Sequence, residues 1–265
     1  MMQHSTRVVA VGWILVSAAA TAFAEDPAER GLAIAQEADR RHGGYGDFTA
    51  RLTMILRNSR GQESLRAMQI KGLEVAGDGD RSLCLFDRPP DIRDTALLTH
   101  THKTGDDDQW LYLPALKRVK RIASSNKSGS FVGSEFAYED IASQELEKHT
   151  YRYLRDEAMG GTDCLVIERV PVDRKNSGYS RQQVWIDKAE YRTLKVEYYD
   201  RRDSLLKTLA VSGYQQYAGR FWRPERMSMV NHQTGKSTDL IWSDYQFGVG
   251  LKAEDFTTNA LLRIR

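Results

Sequence analysis

From Phe48 the chain alternates: Phe48, Ala50, Leu52, Met54 and Leu56 are apolar, with Thr49, Arg51 and Thr53 between them and Arg57 after them. A period of two predicts a strand with one buried and one solvated face. Runs of the same kind recur as "SLRAMQIKGLEV", "RSLCLF", "DTALLTHTH", "QWLYLP", "HTYRYLRDE", "DCLVIERVP", "RQQVWID", "TLKVEYYD", "LKTLAVSGYQQY", "FWRPERMSMV" and "DLIWSDYQF". Short connectors rich in Gly, Asp and Asn, such as "RNSRGQ", "AGDGD" and "NHQTGKS", separate them as turns would. A meander of antiparallel strands is the economical topology, and a sheet of that extent should curl around its apolar side.

Ahead of the strands, "EDPAERGLAIAQEADRRHGGYGD" reads as a helix, with Asp26 as N-cap, Pro27 at the first helical position and Gly43-Gly44 as the stop. Ala28, Leu32, Ala35 and Ala38 fall at helical spacing and predict one apolar stripe lying on the sheet. Residues 123–148, "ASSNKSGSFVGSEFAYEDIASQELEK", break the strand rhythm. They predict either a mobile loop and a short helix, from "YEDIASQELEK", across the mouth of the barrel, or a plain surface connection.

Just before that segment, Asp106, Asp107 and Asp108 lead into Trp110, Leu111, Tyr112 and Leu113, which Pro114 ends as a strand. Consecutive acids cannot easily converge on one ion, so they predict a charged turn and not a cation loop, whose ligands are spaced. Leu116, Val119 and Ile122 recur every three residues, which a strict strand would not give. The returning "ALKRVKRI" therefore stays open in conformation.

The ends and the charge then narrow the class. His4 and Arg7 precede "VVAVGWILVSAAATAFA", whose apolar centre and small-residue end, Ala22-Phe23-Ala24, predict a cleaved secretion signal over residues 1–24. The apolar centre, Val8 to Ala20, is too short for a membrane span. Of the 38 Lys/Arg only Arg7 precedes Glu25, so the exported part carries 37 basic against 36 acidic residues. That balance argues against a nucleic-acid binder. With no low-complexity linker, residues 25–265 are expected to form a single domain.

Candidate chemistry is sparse. Cys84 and Cys164 could form one bridge in an exported protein or remain two buried thiols. His100 and His102 share a strand face, either as part of a zinc site lacking a visible third ligand or as ordinary strand-end histidines. No nucleophile elbow, phosphate loop or zinc helix is present. No catalytic residue, cofactor or metal site is assigned, and the expectation is a non-enzymatic binding protein.

"DDQWLYLPALKRVKRI", "SGSFVGSEFAYEDI" and "LKAEDFTTNAL" resemble the LolA-like outer membrane lipoprotein-sorting family, part of a periplasmic LolA/LolB-like superfamily, most specifically from Gln109 to Ile141. The resemblance implies an α+β, mainly antiparallel fold: a strongly curved, open half-barrel with helices covering its concave side. It also implies a periplasmic carrier of lipid or lipoprotein acyl chains, and an association with inner-membrane transporters of the RND superfamily as the alternative, accessory role. Candidates for the lipid cavity are Leu52, Met54, Trp110, Tyr112, Phe131, Phe136 and Trp185. Lys117, Arg118, Lys120 and Arg121 are the candidates for partner contact, and the protein is expected to be a monomer.

Overall fold

The computed structural model describes Met1 and residues 25–264. The expected secretion signal therefore lies outside the described residues. Helix α1 (Pro27–His42) is capped as its sequence predicts: the Asp26 side chain accepts from the Ala28 N–H, and Gly43 ends the helix.

Strands β1 (Asp47–Arg57), β2 (Glu63–Leu73), β3 (Arg81–Arg88), β4 (Ala96–His100), β5 (Asp108–Leu113) and β6 (Arg118–Ile122) form one antiparallel meander. Strands β7 (His149–Met159), β8 (Thr162–Pro171), β9 (Tyr179–Asp187), β10 (Thr193–Asp200), β11 (Leu205–Tyr217), β12 (Phe221–Asn231) and β13 (Ser237–Phe247) form a second. Pairing of β1 with β13, from Phe48↔Phe247 to Arg57↔Ser237, joins the two into a 13-stranded sheet that curves but stays open. The strands read from the period of two are all present. "RVKRI", which the three-residue spacing left undecided, is β6, paired with β5 from Gln109↔Ile122 to Leu113↔Arg118.

The sheet order runs from β6 at one edge to β7 at the other, although these two are consecutive in sequence. Residues 123–148 must therefore travel from edge to edge, and they do so across the concave face. Within them only Tyr138–Ile141 is α-helical (α2), followed by a 3-10 turn at Leu146–Lys148, so the helix expected from "YEDIASQELEK" is cut to one turn. Glu139 is held by the loop before β9 and Asp140 by Tyr179 and Lys207 of the sheet, contacts described below.

Alternation divides the apolar residues between two faces. Leu52, Met54, Met68, Ile70, Phe86, Leu97, Val184, Ile186, Leu209 and Leu240 belong to the concave core, together with Ile34 and Ala35 of α1 and Phe131 and Phe136 of the crossing segment. On the convex face Leu83, Ala96, Leu98 and Tyr112 pack under Phe256 and Leu261, carried by a 3-10 turn at Ala253–Phe256 and helix α3 (Thr258–Leu261). A smaller convex cluster joins Cys164, Val166 and Trp185.

The buried residues of α1 are Gly31, Ile34 and Ala35, whereas Leu32 is 41% exposed and Ala28 is exposed. This corrects the predicted stripe, and Gly31 is the reason. A Cβ there would lie 2.6 Å from the Arg152 carbonyl carbon and the Tyr153 nitrogen of β7, so the helix rests on the sheet through its glycine. An alanine at an open helical position gains about 1 kcal/mol over glycine from propensity. Overpacking costs about 1–3 kcal/mol and should dominate here. Gly31→Ala is expected to lower the urea midpoint, and a raised midpoint would show that α1 does not depend on this contact.

Candidate functional site

The segment crossing the concave face is a hairpin without being part of the sheet. Ser130 bridges Ala137. The Phe131 N–H donates to the Phe136 carbonyl at 2.7 Å, and the Tyr138 N–H to the Gly129 carbonyl at 3.0 Å. At its turn Val132 and Gly133 have φ of +48° and +77°. This turn drives Phe131 and Phe136, 0% and 2% exposed, into the sheet's apolar face. The Phe131 ring centroid lies 6.0 Å from that of Phe86.

Apolar contact sets the depth of the hairpin, and charge fixes its position. The Lys207 ammonium donates to an Asp140 carboxylate oxygen at 2.8 Å and to the Glu135 carbonyl at 2.9 Å. Both side chains of this ion pair are only 5% exposed. Asp140 also accepts from the Tyr179 hydroxyl at 2.9 Å and from the Ala137 N–H at 2.7 Å. Lys207 lies 5.0 and 5.2 Å from the ring centroids of Tyr179 and Tyr198, so their π-faces surround the cation. Glu139 accepts from the Ser177 hydroxyl and the Gly178 N–H, both at 2.8 Å. Burial pushes the Glu139 carboxyl above its ordinary range and the Tyr179 phenol well above its own, the latter helped by the neighbouring Asp140 charge.

Between this hairpin and the sheet lies an apolar cavity of about 200 Å³. Leu52, Ile70 and Leu240 form its floor, and Phe131, Phe136 and Ile141 its roof. At Tyr45, Phe48, Asp80 and Ser143 the cavity meets an open charged groove of about 840 Å³. The Tyr45 hydroxyl donates to Asp80 at 2.8 Å there, and burial raises the Asp80 carboxyl. On the other flank of the hairpin a groove of about 320 Å³ has Lys127, Glu139, Lys148, His149 and Asp173 among its lining residues. Lys127 pairs with Asp173 at 2.6 Å and Lys148 with Asp107, pinning both ends of the segment.

The sequence candidates divide. Leu52, Phe131 and Phe136 line the cavity, while Met54 is packed beneath it in the same core, 0% exposed. Trp110, Tyr112 and Trp185 do not reach it, which corrects their assignment. Trp110 and Tyr112 face the convex cluster, where the Trp110 ring meets His100 at 5.0 Å. Trp185 points away from its neighbours Val184 and Ile186, donates to Glu157 at 3.0 Å and carries Lys195 3.5 Å above its ring. Alternation showed that these residues occupy particular faces, but not which face is concave.

Asp140, Tyr179 and Lys207 were missed. The available signal was Lys207 itself, a cation on the same strand face as the buried Leu209 and Val211. Of the basic candidates, Arg121 pairs with Asp108. Lys117, Arg118 and Lys120 are exposed, and among the described residues they form no ion pair. Asp107 accepts from the His102 N–H at 3.0 Å, and His102 Nδ1 lies 2.8 Å from Asp78, as befits a turn. His100 Nε2 contacts the Phe256 carbonyl at 2.7 Å. Among the described residues no cluster of three or more His, Cys, Asp or Glu is placed to hold a metal ion. Both cysteines are buried free thiols, Cys84 in the concave core and Cys164 in a convex cluster, and burial pushes the Cys84 thiol up to about 12.

The profile of a family described only as an uncharacterized protein matches residues 78–263. A Vibrio parahaemolyticus structure, provisionally named an outer membrane lipoprotein-sorting protein domain, is 56% identical, with 89% of this chain and 100% of that one covered and a TM-score of 0.87. A DUF1329 family protein from Desulfovibrio piger is 31% identical over 89% of this chain and 99% of its own, with a TM-score of 0.84. A LolA superfamily protein from Nitrosomonas europaea, 22% identical over 87% and 98%, shares the fold with a TM-score of 0.71. No curated protein is significantly similar in sequence.

Two measurements test the anchoring. Asp140→Ala leaves the buried Lys207 ammonium uncompensated and should cost about 3–5 kcal/mol in urea unfolding, with Lys207→Met in the same chain recovering part of that loss. An unrecovered double variant would mean that the pair does not act as a unit. Separately, burial lowers the pKa of His149 from 6.5 to about 3, and its Nδ1 has no partner. The unfolded chain therefore takes up this proton first. The stability from neutral His149 is complete above pH 6.5 and falls as pH drops toward 3, by at most about 1.4 kcal/mol per pH unit. His149→Gln should flatten urea-derived stability across that window, and an unchanged slope would remove His149 as its source.

Proposed function

The chain belongs to the LolA-like family of outer membrane lipoprotein-sorting proteins, and from that premise we propose that residues 25–265 act as one periplasmic domain that carries lipid or lipidated cargo. The apolar cavity between the concave face and the Phe131–Phe136 hairpin supports this reading most directly. It offers hydrophobic burial, which favours holding and passing on an apolar cargo.

Magnitudes define how such a site operates. Each methylene moved from water into an apolar cavity contributes about 0.8 kcal/mol, so a long acyl chain gains on the order of 10 kcal/mol before association costs of a similar size. A cavity of about 150 Å³ accommodates benzene, and ligand pockets usually run from about 300 Å³ upward. The 200 Å³ between hairpin and sheet suits the end of a chain. Entry of a whole chain then requires the hairpin to lift, taking Phe131 and Phe136 out of the space the cargo fills. The aromatic pair thus stands in for cargo when none is bound. Return of the pair to its seat provides the force for release.

The reading predicts that protein purified without detergent from an exporting host yields lipid on organic extraction, detected by mass spectrometry, and that it binds a fluorescent acyl probe. Ala142, buried at the cavity wall, is the place to fill the space. Ala142→Phe should weaken probe binding by about tenfold or more, equivalent to 1.4 kcal/mol or greater. Leu116→Phe on the surface should leave it unchanged. Absence of both extracted lipid and probe binding would remove the proposal.

A further inference from the structure

The two edges of the sheet are protected differently. At β7 the helix α1 covers the strand, with Gly31 against its backbone. At β6, among the described residues, no helix is packed in a comparable way. Among the described residues, the backbone of Arg118–Ile122 hydrogen-bonds only to β5, leaving its outward N–H and carbonyl groups open. An edge of this kind is a template for one more strand.

The side chains restrict which strand can fit. Arg118 and Lys120 share one face of β6, and Lys117 precedes them in the left-handed turn at φ +46°. All three are exposed and without an ion-pair partner among the described residues. Arg121, on the opposite face, is already neutralised by Asp108. Edge cations repel another copy of the same strand. Three uncompensated cations beside an open backbone also make a complementary site for carboxylates, because charges directly across a strand pair approach to about 5 Å.

We propose that β6 is a docking edge for an extended acidic segment of a partner protein, which joins the sheet as an additional strand and sets its carboxylates against Arg118 and Lys120. Backbone pairing supplies the geometry, and the cations choose the sequence. An anionic bilayer could attract the same cations but would make no use of the open backbone groups, so strand addition is the occupant that accounts for both features. The inference does not depend on the cavity.

The test uses the purified protein with a labelled short peptide alternating glutamate and valine, followed by fluorescence anisotropy. Two N-methylated isomers, one methylated on the glutamates and one on the valines, separate backbone pairing from charge. The parent peptide should bind with an affinity that falls with salt, and one isomer should lose binding while the other keeps it. Arg118→Glu with Lys120→Glu should weaken the parent peptide by on the order of tenfold or more without altering acyl-probe binding. The isomers on unaltered protein keep the test independent of whether that variant folds. No binding at low salt, equal binding of both isomers, or an unaffected double variant would overturn strand docking. So would sedimentation with phosphatidylglycerol vesicles in place of peptide binding.

Discussion

The pairing of β1 with β13 constrains everything else in this protein. It places the first and last strands at the centre of the sheet and sends β6 and β7, neighbours in sequence, to opposite edges. The chain between them has one economical path, across the concave face. A curved open sheet cannot fill its own hollow, so the material that fills it comes from this crossing. Phe131 and Phe136 enter from the hairpin and Ile34 and Ala35 from α1, and the cavity is the space they leave.

Hydrophobic burial alone would hold such a hairpin without a unique position, since apolar contact is not directional. The buried Lys207–Asp140 pair provides the direction. Removing two charges from water is costly, and it is offset only where the remaining hydrogen-bonding capacity is used. Here the Tyr179 hydroxyl, the Ala137 N–H and the Glu135 carbonyl use it. Every one of these contacts ties the crossing segment to the sheet or to itself. The anchor therefore consists of a few directional polar contacts that fix the position apolar contact leaves open.

The same economy governs the surface. The sequence is nearly balanced, with 38 basic and 36 acidic residues, and β6 with the residue before it gathers three exposed cations, Lys117, Arg118 and Lys120, at one edge of the sheet. Both edges of an open sheet need protection from unwanted pairing. One receives a helix seated through a glycine, the other receives charge.

Local periodicity determined most of the fold. Alternation identified the strands from β1 to β13 except β6, whose Leu116, Val119 and Ile122 imitate another period, and Asp26, Pro27 and Gly43 delimited α1. The block from Gln109 to Ile141 carried the family resemblance. Tertiary structure decided which face of each strand became the interior. Trp110, Tyr112 and Trp185 have the composition of a cavity wall but lie on the convex side, because a period of two distinguishes the faces without saying which way the sheet bends. It also decided the helix stripe, since the backbone of β7 chose Gly31, and not Leu32, as the point of contact. Lys207 and Asp140 are separated by 67 residues, and their meeting depends on an edge-to-edge path that exists only once β1 has paired with β13. Short-range spacing encodes the elements; the curvature and the crossing follow from long-range strand order, which no local pattern records.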